Sequence, residues 1–528
     1  MRRSAVSLFL VFVFSLLHLT ATAQEHKGSI TGRVTDATQA VLQGARIEIE
    51  PNGPKAVSDS QGQFTIYGLT PGHYKMKVSY VGFTPFTADL DVSAGQVAHV
   101  NAALQVGPAN EVVEVRVERQ RGEEEALNRE RTAENILQVL PSEVITSLPN
   151  TNIADAVGRL PSVSLERDEG EGKYVQIRGT EPRLSNVTIN GMHVPSPEGV
   201  RNVKLDVIPA DLVESVEISK TLSANQEADA IGGSVNLVTK MATERPYVSV
   251  MGMGGYTPIA GGRGLDQFNG AFGQRFGKAK RLGIMIGGSY DWNGRGIDDV
   301  EPAPTTQDFG SGPQAFTPTA DLREYWYDRT RYGFAGTMDC KLGEMSSAYL
   351  KGLFSRFKDF GQNWIYSPQT GTMLSPTQPA PGANDGSMAF TQVFRVPEQR
   401  IFSVATGARH DVGSNLLNYE LALGQARQTG GFPRAGFNGP TNVAFGVDTS
   451  DPFIPRFPVL NGVNIYDPST YVLDSLQLGG GHTYERDVTG SFSLAHHYTL
   501  RSHFSIFEFG AKVRDARKTQ IENQQIFG

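Results

Sequence analysis

The feature that most constrains this chain is a series of long alternating segments that begins at Tyr247. In Leu282–Trp292 the even-numbered residues are apolar, aromatic or glycine, whereas the odd-numbered residues include small and polar ones; Tyr332–Leu342 and Leu417–Leu423 alternate in the same way. Strands of about ten residues with one apolar face are typical of membrane barrels, and ten residues tilted by about 45° cross ~24 Å. Strands of soluble sandwiches usually have only about 5–6 residues.

We predict nine such strands, joined alternately by short and long connections, as in outer-membrane barrels. They are expected at residues 247–256, 265–276, 282–293, 330–342, 348–359, 400–411, 416–428, 485–496 and 503–515. A barrel closed around a plug needs about 22 strands. Residues 244–528 are therefore expected to be the first part of an antiparallel transmembrane β-barrel that belongs to a longer chain.

The N-terminus has the pattern of a secretion signal. Arg2 and Arg3 precede an almost unbroken apolar run, Ala5–Leu17. Because Ala21-Thr22-Ala23 fits the small-x-small cleavage pattern, residues 1–23 are expected to be removed between Ala23 and Gln24. An uncleaved anchor helix is disfavoured, since a membrane span needs about 20 apolar residues.

Residues 24–106 are expected to form an all-β module of short strands separated by turn residues such as Thr70-Pro71-Gly72. The motifs Gly-Arg-Val-Thr-Asp, Asp-Ser-Gln-Gly-Gln-Phe-Thr-Ile and Leu-Thr-Pro-Gly-His-Tyr resemble those of carboxypeptidase regulatory-like domains. The resemblance implies an Ig-like or transthyretin-like β-sandwich without peptidase activity. It leaves open a spacer or signalling role and, by fold analogy, carbohydrate binding.

Local patterns between Asn150 and Lys240 predict a compact α+β domain. Asn150 or Thr151 is expected to cap a short helix, and Pro209 to begin another. Val175 and Ile177 alternate with polar residues, which indicates a strand. Further expected features are a type I′ turn at Asn190-Gly191, a strand through Val216 and Ile218, and a tight turn at Gly232-Gly233 before another strand.

Five fragments in this order resemble the plug of TonB-dependent outer-membrane receptors: Leu-Pro-Ser-Val, Gln-Ile-Arg-Gly, Ile-Asn-Gly, Val-Glu-Ser-Val-Glu-Ile-Ser-Lys and Gly-Gly-Ser-Val-Asn-Leu-Val-Thr-Lys. The resemblance implies a plug domain over residues 134–243. Its motif residues are Arg178, Gly179, Asn190, Gly191, Gly232 and Gly233. Arg178, with five donors, suits a buried carboxylate or a barrel-wall partner, and the alternative is an exposed strand charge.

The polar residues 107–133, which include Glu123-Glu124-Glu125, are expected to be an exposed linker. Within it lies a short β-prone run, formed by Glu111, Val112, Val113, Glu114 and Val115. The resemblance implies that this run is the TonB box, which pairs with the TonB energy transducer by strand addition. The alternative is a last strand of the preceding sandwich.

The sequence lacks the motifs of common enzyme classes. It contains no His-Glu-x-x-His, no Gly-x-Ser-x-Gly and no phosphate loop, and we predict no enzyme, cofactor or metal. His496 and His497 are adjacent on a strand and so point to opposite faces. Cys340 is expected to face lipid, and Asp155 and Asp168 are expected to lack partners. A net charge of −7 gives no basic surface for nucleic acid.

The resemblance to TonB-dependent receptors implies energised uptake of a scarce or large ligand across the outer membrane, with the sandwich and the plug base on the periplasmic side. The expected partners are the transducer, outer-membrane lipid and a small-molecule or oligosaccharide ligand. Iron-siderophore, glycan and cobalamin all remain open, with a slight preference for glycans. The alternatives are a secreted carbohydrate-binding or adhesion protein without transport, and an exported hydrolase.

Overall fold

The computed structural model describes residues 27–528, apart from several positions within that range. The predicted signal sequence, its cleavage site at Ala23 and Gln24, and the candidate TonB box Glu111–Val115 lie outside the described residues. Among the helices that are described, none is both long enough and apolar enough to span a membrane. The positions within the range that are not described are 38, 52, 54, 60, 107–120, 148–151, 225, 244, 260, 344–345, 413 and 501–502.

The N-terminal module is a β-sandwich, as predicted. One sheet has the order β4-β1-β9-β6, with β8 paired to β1, and the other has the order β3-β2-β5-β7. Apolar residues from both sheets, among them Ile30, Phe64, Ile47 and Met76, are buried in one core. The strands are β1 (Gly28–Asp36), β2 (Arg46–Glu50), β3 (Ala56–Val57), β4 (Gln63–Leu69), β5 (Gly72–Ser79), β6 (Phe83–Thr84), β7 (Phe86–Val92), β8 (Val97–His99) and β9 (Ala102–Val106).

The next region, here called the plug, is an α+β domain. Its main sheet has the order β10-β15-β16-β13-β14, and β11 and β12 form a separate hairpin. The elements are α1 (Arg121–Thr132), β10 (Leu137–Pro141), α2 (Ser142–Thr146), α3 (Ile153–Val157), β11 (Val163–Asp168), β12 (Glu171–Ile177), β13 (Ser185–Ile189), β14 (Met192–His193), β15 (Val213–Ser219) and β16 (Gly233–Thr239). Short 3-10 turns cover Pro182–Leu184, Leu205–Val207 and Ala210–Leu212.

Two helix predictions for the plug were wrong in detail. No α-helix starts at Pro209; a single 3-10 turn, Ala210–Leu212, leads directly into β15 at Val213. Because β15 pairs with both β10 and β16, its backbone hydrogen bonds leave no room for a longer helix. The cap of α3 is Asn152, whose side chain accepts a hydrogen bond from the Asp155 backbone N–H at 3.0 Å.

The segment predicted as an exposed linker is helical in its described part, since α1 begins at Arg121. The helix packs along the edge strand β10: Glu130 accepts a hydrogen bond from the Val139 backbone N–H at 2.8 Å, and Arg129 pairs with Glu217. Some of the charged side chains that indicated a solvated segment therefore bind the helix to the plug sheet. Burial raises the pKa of Glu125 to about 7, against the lowering effect of Arg129 and with a further rise from Glu214 and Glu143.

All nine predicted long strands are present in one large sheet. They are β17 (Tyr247–Thr257), β18 (Arg263–Phe276), β19 (Leu282–Pro302), β22 (Ala320–Lys341), β23 (Ser347–Gln369), β25 (Glu398–Val412), β26 (Asn415–Gly430), β28 (Val472–Leu500) and β29 (His503–Phe527). Four shorter strands lie in the long connections: β20 (Thr305–Asp308), β21 (Pro313–Phe316), β24 (Ser387–Arg395) and β27 (Arg434–Asn438). The large sheet, here called the barrel sheet, contains all of them except the separate hairpin β20-β21.

The predicted facing of the strand Leu282–Trp292 is confirmed. Ile286 and Tyr290 are 56% and 42% exposed, whereas Met285 and Asp291 are only 5% and 2% exposed. The even-numbered residues therefore form the outward apolar face, and the odd-numbered residues face the plug. Cys340, at intermediate exposure, lies on the outward parity of β22, next to the 44%-exposed Met338.

Several strands are much longer than predicted. The β19–β22 ladder continues without a register shift from Leu282↔Cys340 to Pro302↔Ala320. A strand of 21 residues tilted by about 45° spans roughly 50 Å, about twice the apolar band of a barrel. The half of the sheet that lies away from the short turns, here called the distal half, therefore extends past that band. The distal half lacks a continuous apolar face, so a pattern of alternating apolar residues did not predict these extensions.

Candidate ligand cavity and plug anchorage

The hairpin β11–β12 ends in a two-residue turn that gathers three carboxylates. Asp168 pairs with Glu171 at the end of the ladder, and Glu169 and Gly170 form the turn with φ values of 53° and 85°. Positive φ at both central positions is the type I′ geometry that suits the twist of a hairpin. The side chains of Asp168, Glu169 and Glu171 are consequently presented together at the tip of the hairpin.

Arg329 on β22 binds this tip from the barrel sheet. Its side chain is fully buried, and its Nη1 donates to Glu171 Oε2 at 3.1 Å while Nη2 donates to Glu169 Oε2 at 2.5 Å. Its Nε donates to Asp359 Oδ1 on the neighbouring strand β23 at 3.0 Å. One guanidinium group therefore joins two carboxylates of the plug to one of the barrel sheet.

Arg331 lies two residues further along β22 and so faces the same side. It is also fully buried, donates to Asp291 Oδ1 at 2.8 Å and to the Asp206 backbone carbonyl at 2.6 Å, and forms an ion pair with Glu171. Burial alone would raise the pKa of Glu171, but the guanidinium groups of Arg331, Arg329 and Arg295 hold that pKa well below its usual range. Glu171 is therefore an ionised anchor of the plug.

Arg395 on β24 completes the group that we call the tip cluster. It contacts Glu169 at 2.6 Å, Asp359 at 2.7 Å and Asp168 at 3.3 Å, and its guanidinium carbon lies 5.2 Å from the ring centroid of Tyr327. The cluster consists of the plug carboxylates Asp168, Glu169 and Glu171, the arginines Arg295, Arg329, Arg331 and Arg395, and the barrel carboxylates Asp291 and Asp359.

A cavity of about 1050 Å³ opens above the tip cluster. Its floor is the hairpin turn Arg167–Glu171, and its walls come from the distal halves of β19, β22, β23 and β24. Tyr325 and Tyr327, whose rings meet edge to face at 5.3 Å, form an aromatic wall together with Phe432. Aromatic surface with a few polar groups is the usual composition of a ligand site, and this volume is at the upper end of the common range.

A second group of contacts holds the plug to β29. Arg514 donates to Glu227 Oε2 at 2.5 Å and to Asp229 Oδ2 at 3.2 Å, and Lys512 pairs with Glu227 at 2.5 Å. We call these four residues the side cluster. Its cationic side chains are 27% and 30% exposed, so water screens its ion pairs more than those of the tip cluster.

The structure places the predicted plug motif inside the plug itself. Arg178, at φ 55°, donates to the backbone carbonyls of Gly232 at 3.1 Å and Ile231 at 3.4 Å. The expected carboxylate or barrel-wall partner for this arginine was therefore wrong. Gly179 also has a positive φ, 71°.

The motif glycines and asparagine have structural explanations. Asn190 and Gly191, at φ 53° and 84°, form the predicted type I′ turn between β13 and β14. A Cβ atom on Gly232 would lie 2.2 Å from Thr180 Oγ1, and Gly233 has a φ of 141°. These positions support the backbone of the plug.

The sequence patterns did not predict the residues that join the plug to the barrel sheet. Asp168 was expected to lack a partner, yet it pairs with Arg395; Asp155, likewise, pairs with Arg167 at 3.1 Å. The only sequence signal was the charge density of Asp168–Glu171 and the arginines at 329 and 331. The arginines and the carboxylates are about 160 residues apart, so no local pattern predicted that they pair.

The carboxylates of Asp168, Glu169 and Asp359 lie within 4.8 Å of one another, the spacing of a possible metal site. Arg329 and Arg395 already bind these oxygens, so the group is explained by its ion pairs. His496 Nδ1 lies 2.9 Å from Asn415 Oδ1, which agrees with a structural role.

Comparison with known families agrees with this architecture. The model of the TonB-dependent Receptor Plug Domain matches residues 129–234, which include the whole tip hairpin. The chain therefore contains the plug domain of TonB-dependent receptors. Ahead of its plug, the model of the Carboxypeptidase regulatory-like domain matches residues 29–105. Members of the receptor family are outer-membrane β-barrel transporters, not enzymes.

The chain is similar to several siderophore receptors. It is 29% identical over 130 residues to the probable TonB-dependent siderophore receptor PirA of Acinetobacter baumannii, which is 22% of this chain and 17% of that relative. The ferric enterobactin receptor PfeA of Pseudomonas aeruginosa is 12% identical, with a TM-score of 0.34, over 70% of this chain and 63% of its own. The solved structure of PirA is also 12% identical, with a TM-score of 0.28. The match covers 75% of this chain and 79% of the PirA chain.

The chain thus spans less than a fifth of its curated relative and about 63% of the enterobactin receptor. Similarity at this level does not specify a ligand. The proteins named are siderophore and ferric-chelate receptors, so the comparisons give no support to the slight preference for glycans or to the non-transporting alternative.

Proposed function

We propose that this receptor takes up an iron-chelate type of solute across the outer membrane, driven by the TonB energy transducer. The observation that carries the proposal is that the cavity and the anchorage of the plug share residues. Asp168, Glu169 and Glu171 line the cavity and also hold the plug to the barrel sheet. A solute in the cavity therefore touches the groups that keep the plug in place.

A bound solute competes with the plug for the arginines of the wall. Arg295 and Arg395 line the cavity and pair with Glu171 and Glu169, so a ligand oxygen that reaches either arginine weakens an anchor contact. Removing one partner from a buried ion pair leaves an uncompensated charge, which costs about 3–5 kcal/mol. Ligand occupancy and loosening of the hairpin are in this way coupled.

The transducer acts at the other end of the plug. The candidate box Glu111–Val115 precedes α1, and the first strand after α1 is β10, an edge strand held by one five-residue ladder to β15. Force applied to the box reaches this edge first. An edge strand can separate from its one neighbour while the hydrogen bonds of the other strands remain intact. The proposed orientation puts the sandwich and α1 in the periplasm and the distal half of the barrel sheet outside the cell.

Growth of a strain that lacks the receptor tests the solute class. Under iron limitation, with defined ferric chelates as iron sources, the deletion strain should fail to grow on at least one chelate that supports the complemented strain. Growth on oligosaccharides as carbon sources is the second arm of the experiment. A defect confined to an oligosaccharide would overturn the iron-chelate assignment but not the transport function.

The candidate box is tested by Val113→Pro, with Val113→Ala as its matched control. Proline removes the backbone donor that strand addition needs, whereas alanine retains it. We expect uptake to fall at least tenfold in the proline variant while solute binding to whole cells persists. Equal uptake in the two variants would place the box elsewhere. Uptake that survives collapse of the proton gradient in the wild type would show that the transducer does not drive it.

A further inference from the structure

The cavity has more carboxylates than cationic groups. Its lining contains four arginines, Arg167, Arg295, Arg323 and Arg395, and six acids, Asp168, Glu169, Glu171, Asp298, Asp299 and Glu301. If all ten are ionised, these residues carry a formal charge of 4 − 6 = −2.

The arginine charges are already neutralised. Arg395 contacts three carboxylates, and Arg295 pairs with Glu171 at 2.8 Å. Arg323 pairs with Glu301 at 2.5 Å and with Asp321 at 2.9 Å, and Arg167 pairs with Asp155 at 3.1 Å. Each guanidinium group is thus already ion-paired, and of their buried N–H groups only the Nε–H groups of Arg323 and Arg395 have no hydrogen-bond partner in the described structure.

Two acceptors in the lining remain available to a ligand. Asp299, on the inward parity of the distal part of β19, has no ion pair among the residues that the structure describes. Asn363 is only 8% exposed, and its Oδ1 is buried without a hydrogen-bond partner in the described structure. A buried unpartnered acceptor costs about 1–3 kcal/mol, so a ligand that donates to it gains from its position in the wall.

We propose that the cavity selects a solute that is rich in N–H or O–H donors and carries no net negative charge. Asp299 and Asn363 are the residues that determine this selection. The inference rests on the proposed function, since it assigns the cavity to the transported solute. It predicts that an amine-bearing or neutral chelate is accepted and that a polyanionic one is disfavoured.

The charge selection can be measured without knowledge of the solute. Ile297 lines the cavity, and Cys340 is the only cysteine of the chain, so Ile297→Cys in a Cys340→Ala background places a single thiol at the site. Its reaction rates with trimethylammonium, hydroxyethyl and sulfonate methanethiosulfonates would be measured on the receptor in isolated outer membranes. Each rate is divided by the rate of the same reagent with 2-mercaptoethanol.

We expect the normalised cation-to-anion ratio to be at least about fivefold, and to shrink as ionic strength rises. Asp299→Asn should lower the ratio by about threefold. The control is Asp266→Asn, an exposed carboxylate on the outward parity of β18, which should leave the ratio unchanged. A ratio of one or below, or one that Asp299→Asn does not affect, would overturn the inference.

Failure of the inference is distinct from failure of the proposed function. The thiol reactions need neither transport nor the transducer, so they report the charge of the cavity even in a protein that transports nothing. Loss of the proposed function would instead appear as the absence of any growth defect in the deletion strain.

Discussion

The two ends of the plug use the same residue type in opposite electrostatic settings. At the tip, Glu171 meets three arginines, which keep its pKa well below the usual range. At the base, Glu125 on α1 has Glu143 and Glu214 as neighbours, and burial raises its pKa to about 7. Glu171 therefore stays ionised as an anchor, whereas the raised pKa of Glu125 predicts that the docking of α1 responds to pH.

The largest expected effect comes from breaking the tip. Arg331 is fully buried, and Arg331→Met removes the cation that Glu171 and Asp291 share. The free energy of opening of the β11–β12 hairpin should therefore fall by about 3–5 kcal/mol. Hydrogen exchange of the β12 amides in the full receptor would measure this. Arg400→Met is the control, because Arg400 is 47% exposed and pairs only at the surface with Glu398.

A smaller effect is expected at the base, and it depends on pH. Because the pKa of Glu125 is raised in the folded plug, its contribution to stability is complete below about pH 4.5 and is lost as pH rises through about 7. Protection of the α1 amides should therefore decrease between pH 5 and pH 8, after correction for intrinsic exchange rates. Glu125→Gln should remove this decrease and stabilise α1 at pH 8 by about 1–3 kcal/mol.

Two controls make the pH comparison sharp. Glu123→Gln removes a charge from the same helix and should keep the pH dependence of α1. Glu171 has a lowered pKa, so its contribution is present above about pH 4.5 and is lost only as pH falls through its much lower folded value. Burial raises the pKa of the neighbouring Glu169 to about 7, so the comparison uses a Glu169→Gln background. In that background, protection of β12 should stay constant between pH 5 and pH 8. An equal pH response at the two ends would contradict the comparison.

The smallest effect is expected for the side cluster. Arg514→Met removes the contacts with Glu227 and Asp229, but the arginine is 27% exposed, so the change should cost only about 0–1 kcal/mol in plug stability. Exchange rates of amides near 226–229 would measure it. A cost equal to that of Arg331→Met would show that burial does not separate the two clusters.

The sequence predicted the strands better than it predicted their contacts. Alternation of apolar residues identified all nine long strands and the outward face of Ile286, because one apolar face is a local property. The distal extensions were missed since their pairing rests on polar side chains, such as Arg323 with Glu301, that resemble loop residues. The Asn190-Gly191 turn was predictable because its signal lies in two adjacent residues.

The tip cluster could not be predicted, because its partners are distant in sequence. Arg331 and Glu171 are 160 residues apart, and no local pattern connects them. The prediction for Arg178 was wrong for a local reason. Its motif suggested a charged partner, but the residue has a positive φ and its side chain donates to the carbonyl of Gly232. Local rules also assigned α1 to a linker, since its docking on β10 is a tertiary contact.

A double-mutant cycle on Glu171 and Arg331 tests most directly whether the tip cluster anchors the plug. Glu171→Gln, Arg331→Met and the double variant would be compared by hydrogen exchange of the β12 amides in the full receptor. We predict that the two single changes are strongly non-additive, with a coupling energy of at least about 2 kcal/mol. Additive costs, with a coupling near zero, would show that these two residues do not hold the hairpin to the barrel sheet.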